Sequence, residues 1–173
     1  AARILSHVRQ KITLSVNIDN SARAEHVQSF ARAIRGHPSI TSFEEGDVFP
    51  FECMDSLYSA LATLPALESV KLTNSGRQSW LERGSTRHES LTELLRLPTL
   101  RSVYFHHFYF TRALCQATAN ALIEGTAITK LEFSNCSFGA IGVAEILVKA
   151  FSRNTSVSDI EVEPSCDDVA LFD

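Results

Sequence analysis

Imidazoles, thiols, carboxylates and a single indole are the side chains of this 173-residue chain that could do chemistry, and their spacing limits what chemistry that is. The run Tyr104-Phe-His-His-Phe-Tyr-Phe110 sets two imidazoles side by side, which raises the question of a metal ion. Neighbouring residues on a strand point to opposite faces, so His106 and His107 are not expected to share one. No HxH, HExxH or paired CxxC spacing adds a ligand set, and neither a metal nor another cofactor is expected. Nucleophilic chemistry lacks a GxSxG turn, and nucleotide chemistry lacks a GxxxxGKS/T or GxGxxG loop. The chain is therefore expected not to be an enzyme. Cys53, Cys115, Cys136 and Cys166 contain no close pair and are too sparse for a disulfide framework. They read as reduced, mostly buried thiols, which implies an intracellular, cytoplasmic home. The sequons Asn135-Cys-Ser and Asn154-Thr-Ser read as structural, because both fall at tight junctions of the pattern described below.

Composition narrows the partners. Apolar residues make up 45% and charged residues 21%, which excludes a disordered polar tract. Sixteen Lys and Arg stand against twenty Asp and Glu, a net charge of −4, so no nucleic-acid partner is expected. No apolar run reaches about 18 residues, so no membrane span is expected. Residues 1–10 lack the long apolar stretch of a signal peptide.

Self-similarity organises the rest. Apolar segments begin at Ile40, Leu67, Leu100, Ile128 and Val157, at steps of 27, 33, 28 and 29 residues, and a copy beginning at Lys11 lies a further 29 upstream. With that first residue as position 1, position 4 reads Leu14, Phe43, Val70, Val103, Leu131 and Ile160. Position 6 reads Val16, Glu45, Leu72, Phe105, Phe133 and Val162. Across positions 1, 4 and 6, sixteen of eighteen residues are apolar, too many for chance in a chain of this composition. Two residues before position 1 stand Pro38, Pro65, Pro98, Thr126 and Thr155. Proline disfavours helix in the residue before it. Where it is missing, Gly125 or Asn154 precedes, residue types that take the left-handed conformation at a helix end.

Each unit thus reads as a strand, a loop, a helix and a stop. Positions 4 and 6 point inward. Helical spacing appears at Val27, Phe30 and Ile34, at Leu57, Leu61 and Leu64, and at Ile141, Leu147 and Phe151. Ser90-Leu-Thr-Glu93 is expected to cap one helix as a capping box and Thr111 to cap the next. Strand, returning helix and strand at one register predict a parallel sheet with helices on one face. Strands pair about 4.8 Å apart, whereas packed helices need about 8–10 Å, so the array must curve with its strands inside.

These residues resemble a leucine-rich repeat protein of the ribonuclease-inhibitor-like class. The LxxLxLxxN/CxL pattern is clearest in Ile128-Thr-Lys-Leu131-Glu-Phe133-Ser-Asn-Cys136-Ser-Phe138, where Cys136 falls on the Asn/Cys column. The resemblance covers about residues 5–162 and implies an α/β solenoid of about six repeats of 27–33 residues, strands concave and helices convex. The column elsewhere departs from the pattern: Asp19, Val48, Ser75, Phe108 and Ser165. Glu45 breaks position 6, and the unit from Leu67 carries an insertion spanning 73–90. Residues 1–173 are expected to form one leucine-rich-repeat domain. Leu5 and Val8 look like the end of an earlier helix, and residues 163–173 complete no further one. The chain therefore reads as a segment of a longer protein.

Positions 3, 5 and 7 then line the concave face. They bring out Glu44, Lys71, Tyr104, His106, Lys130, Glu132, Asp159 and Glu161, mixed in the middle and acidic toward the C-terminal end, where Glu163 joins. Phe105, Phe108 and Phe110 belong to the core, leaving Tyr104, His106 and Tyr109 for the surface. Two readings stay open: a docking surface for a basic or polar protein partner, with Tyr104 as an anchor, or a solvated sheet face that packs well. Trp80, in the insertion with Arg77, Arg83 and Arg87, is either a second contact or a lid over the core. A single helical turn is expected at Ser79-Trp-Leu-Glu82. The function expected is a non-catalytic protein-interaction scaffold. The alternatives are a regulatory or sensor segment of a larger multidomain protein, or a regulator of the kind some relatives in the resembled family are, which activate a GTPase by orienting it.

Overall fold

The computed structural model describes residues 11–17, 24–46, 53–73, 88–138 and 141–164. Trp80 and the rest of residues 74–87 of the insertion, Cys166, Leu5, Val8, and Asp19, Val48, Ser75 and Ser165 of the Asn/Cys column lie outside them. Strands and helices alternate in the order β1 (Ile12–Val16), α1 (Ala24–Ile34), β2 (Ile40–Glu45), α2 (Met54–Leu61), β3 (Ser69–Thr73), α3 (His88–Leu95), β4 (Ser102–His106), β5 (Tyr109–Phe110), α4 (Arg112–Glu124), β6 (Lys130–Phe138), α5 (Ile141–Phe151) and β7 (Asp159–Pro164). The strands β1-β2-β3-β4-β6-β7 form one parallel sheet, and the two-residue β5 pairs with the far end of β6. Each helix packs against the next along the convex side.

The columns read from the sequence become registers. Val70, Val103 and Leu131 of position 4 pair in line, as do Leu72, Phe105 and Phe133 of position 6. All six are buried. A second ladder fastens unit to unit just before each strand. The carbonyl of Thr41 accepts from the Glu68 amide at 2.7 Å, that of Glu68 from Arg101 at 2.7 Å, that of Arg101 from Thr129 at 2.8 Å, and that of Thr129 from Ser158 at 3.0 Å. The core is most aromatic at β4 to β6. Phe105 lies 5.1 Å from Phe108, 5.4 Å from Phe110 and 5.5 Å from Phe133, ring centre to ring centre. The thiol of Cys136 donates to the Phe105 carbonyl at 3.3 Å, which ties the Asn/Cys column to the preceding unit. At the C-terminal edge, Ile160 and Val162 of the same two columns are exposed.

Helix ends agree in part with expectation. Thr111 accepts from the Leu114 amide at 3.2 Å and caps α4. Gly125 closes that helix at φ 100°, a conformation open to glycine. Gly36, at φ 64°, does the same after α1, ahead of Pro38. Asn154 works otherwise than predicted: it is not left-handed. Its side-chain amide donates to the Leu122 carbonyl near the end of α4 at 2.7 Å, and its carbonyl oxygen accepts from the Ser156 and Val157 amides at 2.9 and 2.7 Å. One side chain thereby satisfies an orphan helix carbonyl and folds the turn into β7.

Two further expectations are corrected. Ser90 does not cap α3, which begins at His88; its hydroxyl donates instead to Asp55 of α2 at 2.5 Å. Lys11 does not occupy position 1. Ile12 pairs with Ile40, the register then slips, and Thr13 pairs with Ser42. This irregularity brings an apolar residue to the place and leaves Lys11 exposed, its ammonium 3.0 Å from Glu68.

Two measurements test this packing. Phe105→Ala is expected to cost about 3–5 kcal/mol, and Thr111→Ala about 1 kcal/mol, in urea unfolding followed by circular dichroism. Burial pushes the Cys115 and Cys136 thiols up to about 12, so the reactive thiolate is scarce in the folded chain. Iodoacetamide at pH 8 is expected to label these two only after unfolding, as read by site-resolved mass spectrometry; labelling of either in the native chain would contradict the packing.

Candidate concave-face binding site

The parallel register lines up the outward residues as strictly as the inward ones. Position 5 runs across the strands as Ser15, Glu44, Lys71, Tyr104, Glu132 and Glu161, each paired with the next. Position 3 runs beside it as Ser42, Ser69, Ser102, Lys130 and Asp159. Eight of the nine residues singled out from the sequence thus share one face, and Trp80 lies outside the described residues.

Two clusters form on this face. In the first, the Lys71 ammonium bonds Glu44 at 2.8 Å and sits 5.2 Å from the centre of the Tyr104 ring. The Glu44 hydrogen bond is the main reason Lys71 holds its proton more tightly than an ordinary lysine. Ser42, Glu44, Ser69, Lys71 and Tyr104, over Phe43 and Val70, line a depression of about 360 Å³. In the second cluster, Lys130 stands among three carboxylates, 3.3 Å from Glu132, 3.6 Å from Glu161 and 4.0 Å from Asp159. Its hydrogen bond to Glu132 raises its pKa. Tyr104 pairs with Glu132 across β4 and β6 and so joins the two clusters.

Position 7 departs from expectation. His106 is half-buried and Glu163 exposed, but Thr73 and Ser134 are buried. Their hydroxyls bond the neighbouring strand and draw these short side chains onto the sheet: Thr73 donates to the Glu45 carbonyl at 2.9 Å, and Ser134 to the Glu163 carboxylate at 2.6 Å.

His107 overturns the opposite-faces reasoning. Its φ is 56°, so the strand ends at His106 and the chain turns left-handed. The two imidazole rings come within 4.0 Å, and Tyr104 lies 5.9 Å from His106. Asn135, at the same place one unit later, is also left-handed at φ 51°. A signal for this was present: in four of the six copies the residue after position 7 is Asp47, Asn74, His107 or Asn135, the types most tolerant of that conformation, while the two end copies have Ile18 and Pro164. Burial, then the charges of His107 and Lys71, hold His106 below the usual histidine range, with Glu163 opposing. Even with the rings together, no three His, Cys, Asp or Glu side chains among the described residues group so as to hold a metal ion. Among the same residues no helix is long and apolar enough to cross a membrane.

No family model matches the chain, and no curated protein matches it. Among solved structures it is similar to the C-terminal domain of tropomodulin from Caenorhabditis elegans, with a TM-score of 0.57 and 16% identity over 82% of this chain and 83% of that one. At that identity the likeness speaks to fold alone, and the fold is a leucine-rich-repeat-type solenoid.

Proposed function

We propose that this chain is a non-catalytic scaffold that binds a protein partner on the concave face of its sheet. One observation carries the reading: the face opposite the helices holds an ordered set of charged and aromatic side chains with Tyr104 at its centre. Interface anchors are commonly aromatic residues ringed by polar groups, and Tyr104 stands in that setting between the Lys71–Glu44 pair and Glu132. Repeat arrays use this surface because curvature lets one partner touch several units. Full helices between strands, as in α1, α4 and α5, support placing the chain in the ribonuclease-inhibitor-like class. The reading includes no catalytic step. It takes residues 1–173 as one domain and the 73–90 insertion with Trp80 as a second contact. Buried, reduced Cys53, Cys115 and Cys136 favour an intracellular setting.

Affinity capture of a partner, with Tyr104→Ala as the control bait, tests it. Replacing Tyr104 by Ala is expected to weaken the captured partner by about 2 kcal/mol, about thirtyfold in Kd, with smaller losses for His106→Ala and Glu132→Ala. The circular dichroism spectrum and urea midpoint should stay close to the parent's. Equal affinity for all three variants would move the contact off this face.

A further inference from the structure

At the end of strand β4 stand His106 and, just past it, His107, two imidazoles that strand alternation would have separated. The left-handed turn at His107 brings its ring to 4.0 Å from His106, on the face that carries Tyr104. Two charges at that distance repel strongly wherever water is partly excluded, and His106 is half-buried. The titratable and charged groups of this face around His106 are His107 and Tyr104 on its own segment, Lys71 on β3, Glu132 on β6 and Glu163 on β7. Lys71 adds to the repulsion and Glu163 relieves it.

The electrostatics of the two halves differ. Toward β2 and β3, Lys71 and Glu44 neutralise each other. Toward β6 and β7, Lys130 faces Glu132, Asp159 and Glu161, and Glu163 stands beyond on β7. With both imidazoles neutral, that half carries an excess of three negative charges. A proton on the pair places positive charge at its inner border beside Tyr104.

We propose that the His106–His107 pair is a proton gate on the concave face: while the pair is neutral the face takes a cationic, Lys- or Arg-bearing segment of a partner across β4, β6 and β7, and mild acid releases it. The inference rests on the concave docking proposed above and adds to it the partner's chemistry and its control. Charge complementarity draws the segment to the carboxylates of β6 and β7, beside Tyr104. Protonation then places like charge where the segment crosses β4.

A decalysine peptide is the probe, titrated calorimetrically against the full chain at pH 7.5 and pH 5.5. Affinity for the parent is expected to fall about tenfold or more between the two, beyond the change seen in His107→Asn, which keeps a residue suited to the left-handed turn, and in His106→Gln. The carboxylates are common to all three proteins, so their own titration cancels in the comparison. In nuclear magnetic resonance of the free chain the His106 midpoint should rise in His107→Asn, which removes one of the like charges that lower it. Equal affinity at both pH values, or a His107→Asn protein with the parent's full pH response, would overturn the gate alone. Absence of peptide binding at either pH would overturn the cationic partner, whatever the imidazole titration shows.

Discussion

A difference between two spacings governs this molecule. Paired strands lie about 4.8 Å apart and packed helices about 8–10 Å, so a row of strand–helix units must bend toward its strands. The bend holds only if every unit stays in register. That is the work of the carbonyls of Thr41, Glu68, Arg101 and Thr129, each accepting from the next unit before the strand begins. Register and curvature together decide which side chains can form a site. A slip of one residue would exchange the Phe105 and Phe133 column for the Tyr104 and Glu132 column, exposing the core and burying the charges.

The inward face was readable from the sequence because burial repeats. Val70, Val103 and Leu131 occupy one kind of environment, and only apolar residues suit it. Thr111 was readable for a similar reason, since a hydroxyl before a helix has few competing roles. What escaped were particular side-chain bonds between units. Ser90 has the spacing of a capping box, yet Asp55 of the preceding helix takes its hydroxyl. Asn154 has the look of a left-handed stop, yet the open carbonyl of Leu122 takes its amide. Thr73 and Ser134 fall on an outward column, yet hydrogen bonds to adjacent strands pull them in. At the site, the sequence placed the eight residues on one face but not their pairing. The sequence alone did not show that Lys71 would lean on Tyr104 or that Lys130 would stand among three acids.

Those two lysines explain why the face is less charged than its composition suggests. Each is held by carboxylates of its own or a neighbouring strand, and such half-exposed pairs add little stability. Their larger effect is on recognition. A paired lysine offers a partner's carboxylate little, because Glu44 or Glu132 already answers it. The unbalanced acids of β7 remain open to a cation. The aromatic pair of β4 lies between a neutral region and an acidic one, where a change of charge on the imidazoles alters the potential most.

Glu45 shows how the array tolerates a polar residue in an apolar column. It occupies position 6, where the equivalent residues are Leu72, Phe105 and Phe133, and it is fully buried. A carboxylate there is costly unless hydrogen bonds receive it. The pairing of β2 with β3 extends from Ser42–Ser69 to Glu44–Lys71 and no further. Beyond it, the Thr73 amide donates to the Glu45 carboxylate at 3.0 Å, and the Thr73 hydroxyl donates to the Glu45 carbonyl at 2.9 Å. Side chains thus take up the bonds that the backbone ladder no longer makes, one unit from where the insertion begins. Burial and the Glu45 charge also push the Tyr58 hydroxyl above its usual range, so it stays protonated beneath the same carboxylate. An apolar residue at 45 would suit the column and leave the Thr73 amide without that acceptor. The exception in the repeat therefore follows from the same requirement as the rule: a buried backbone group must find a partner, and where the neighbouring strand does not supply one, a side chain must.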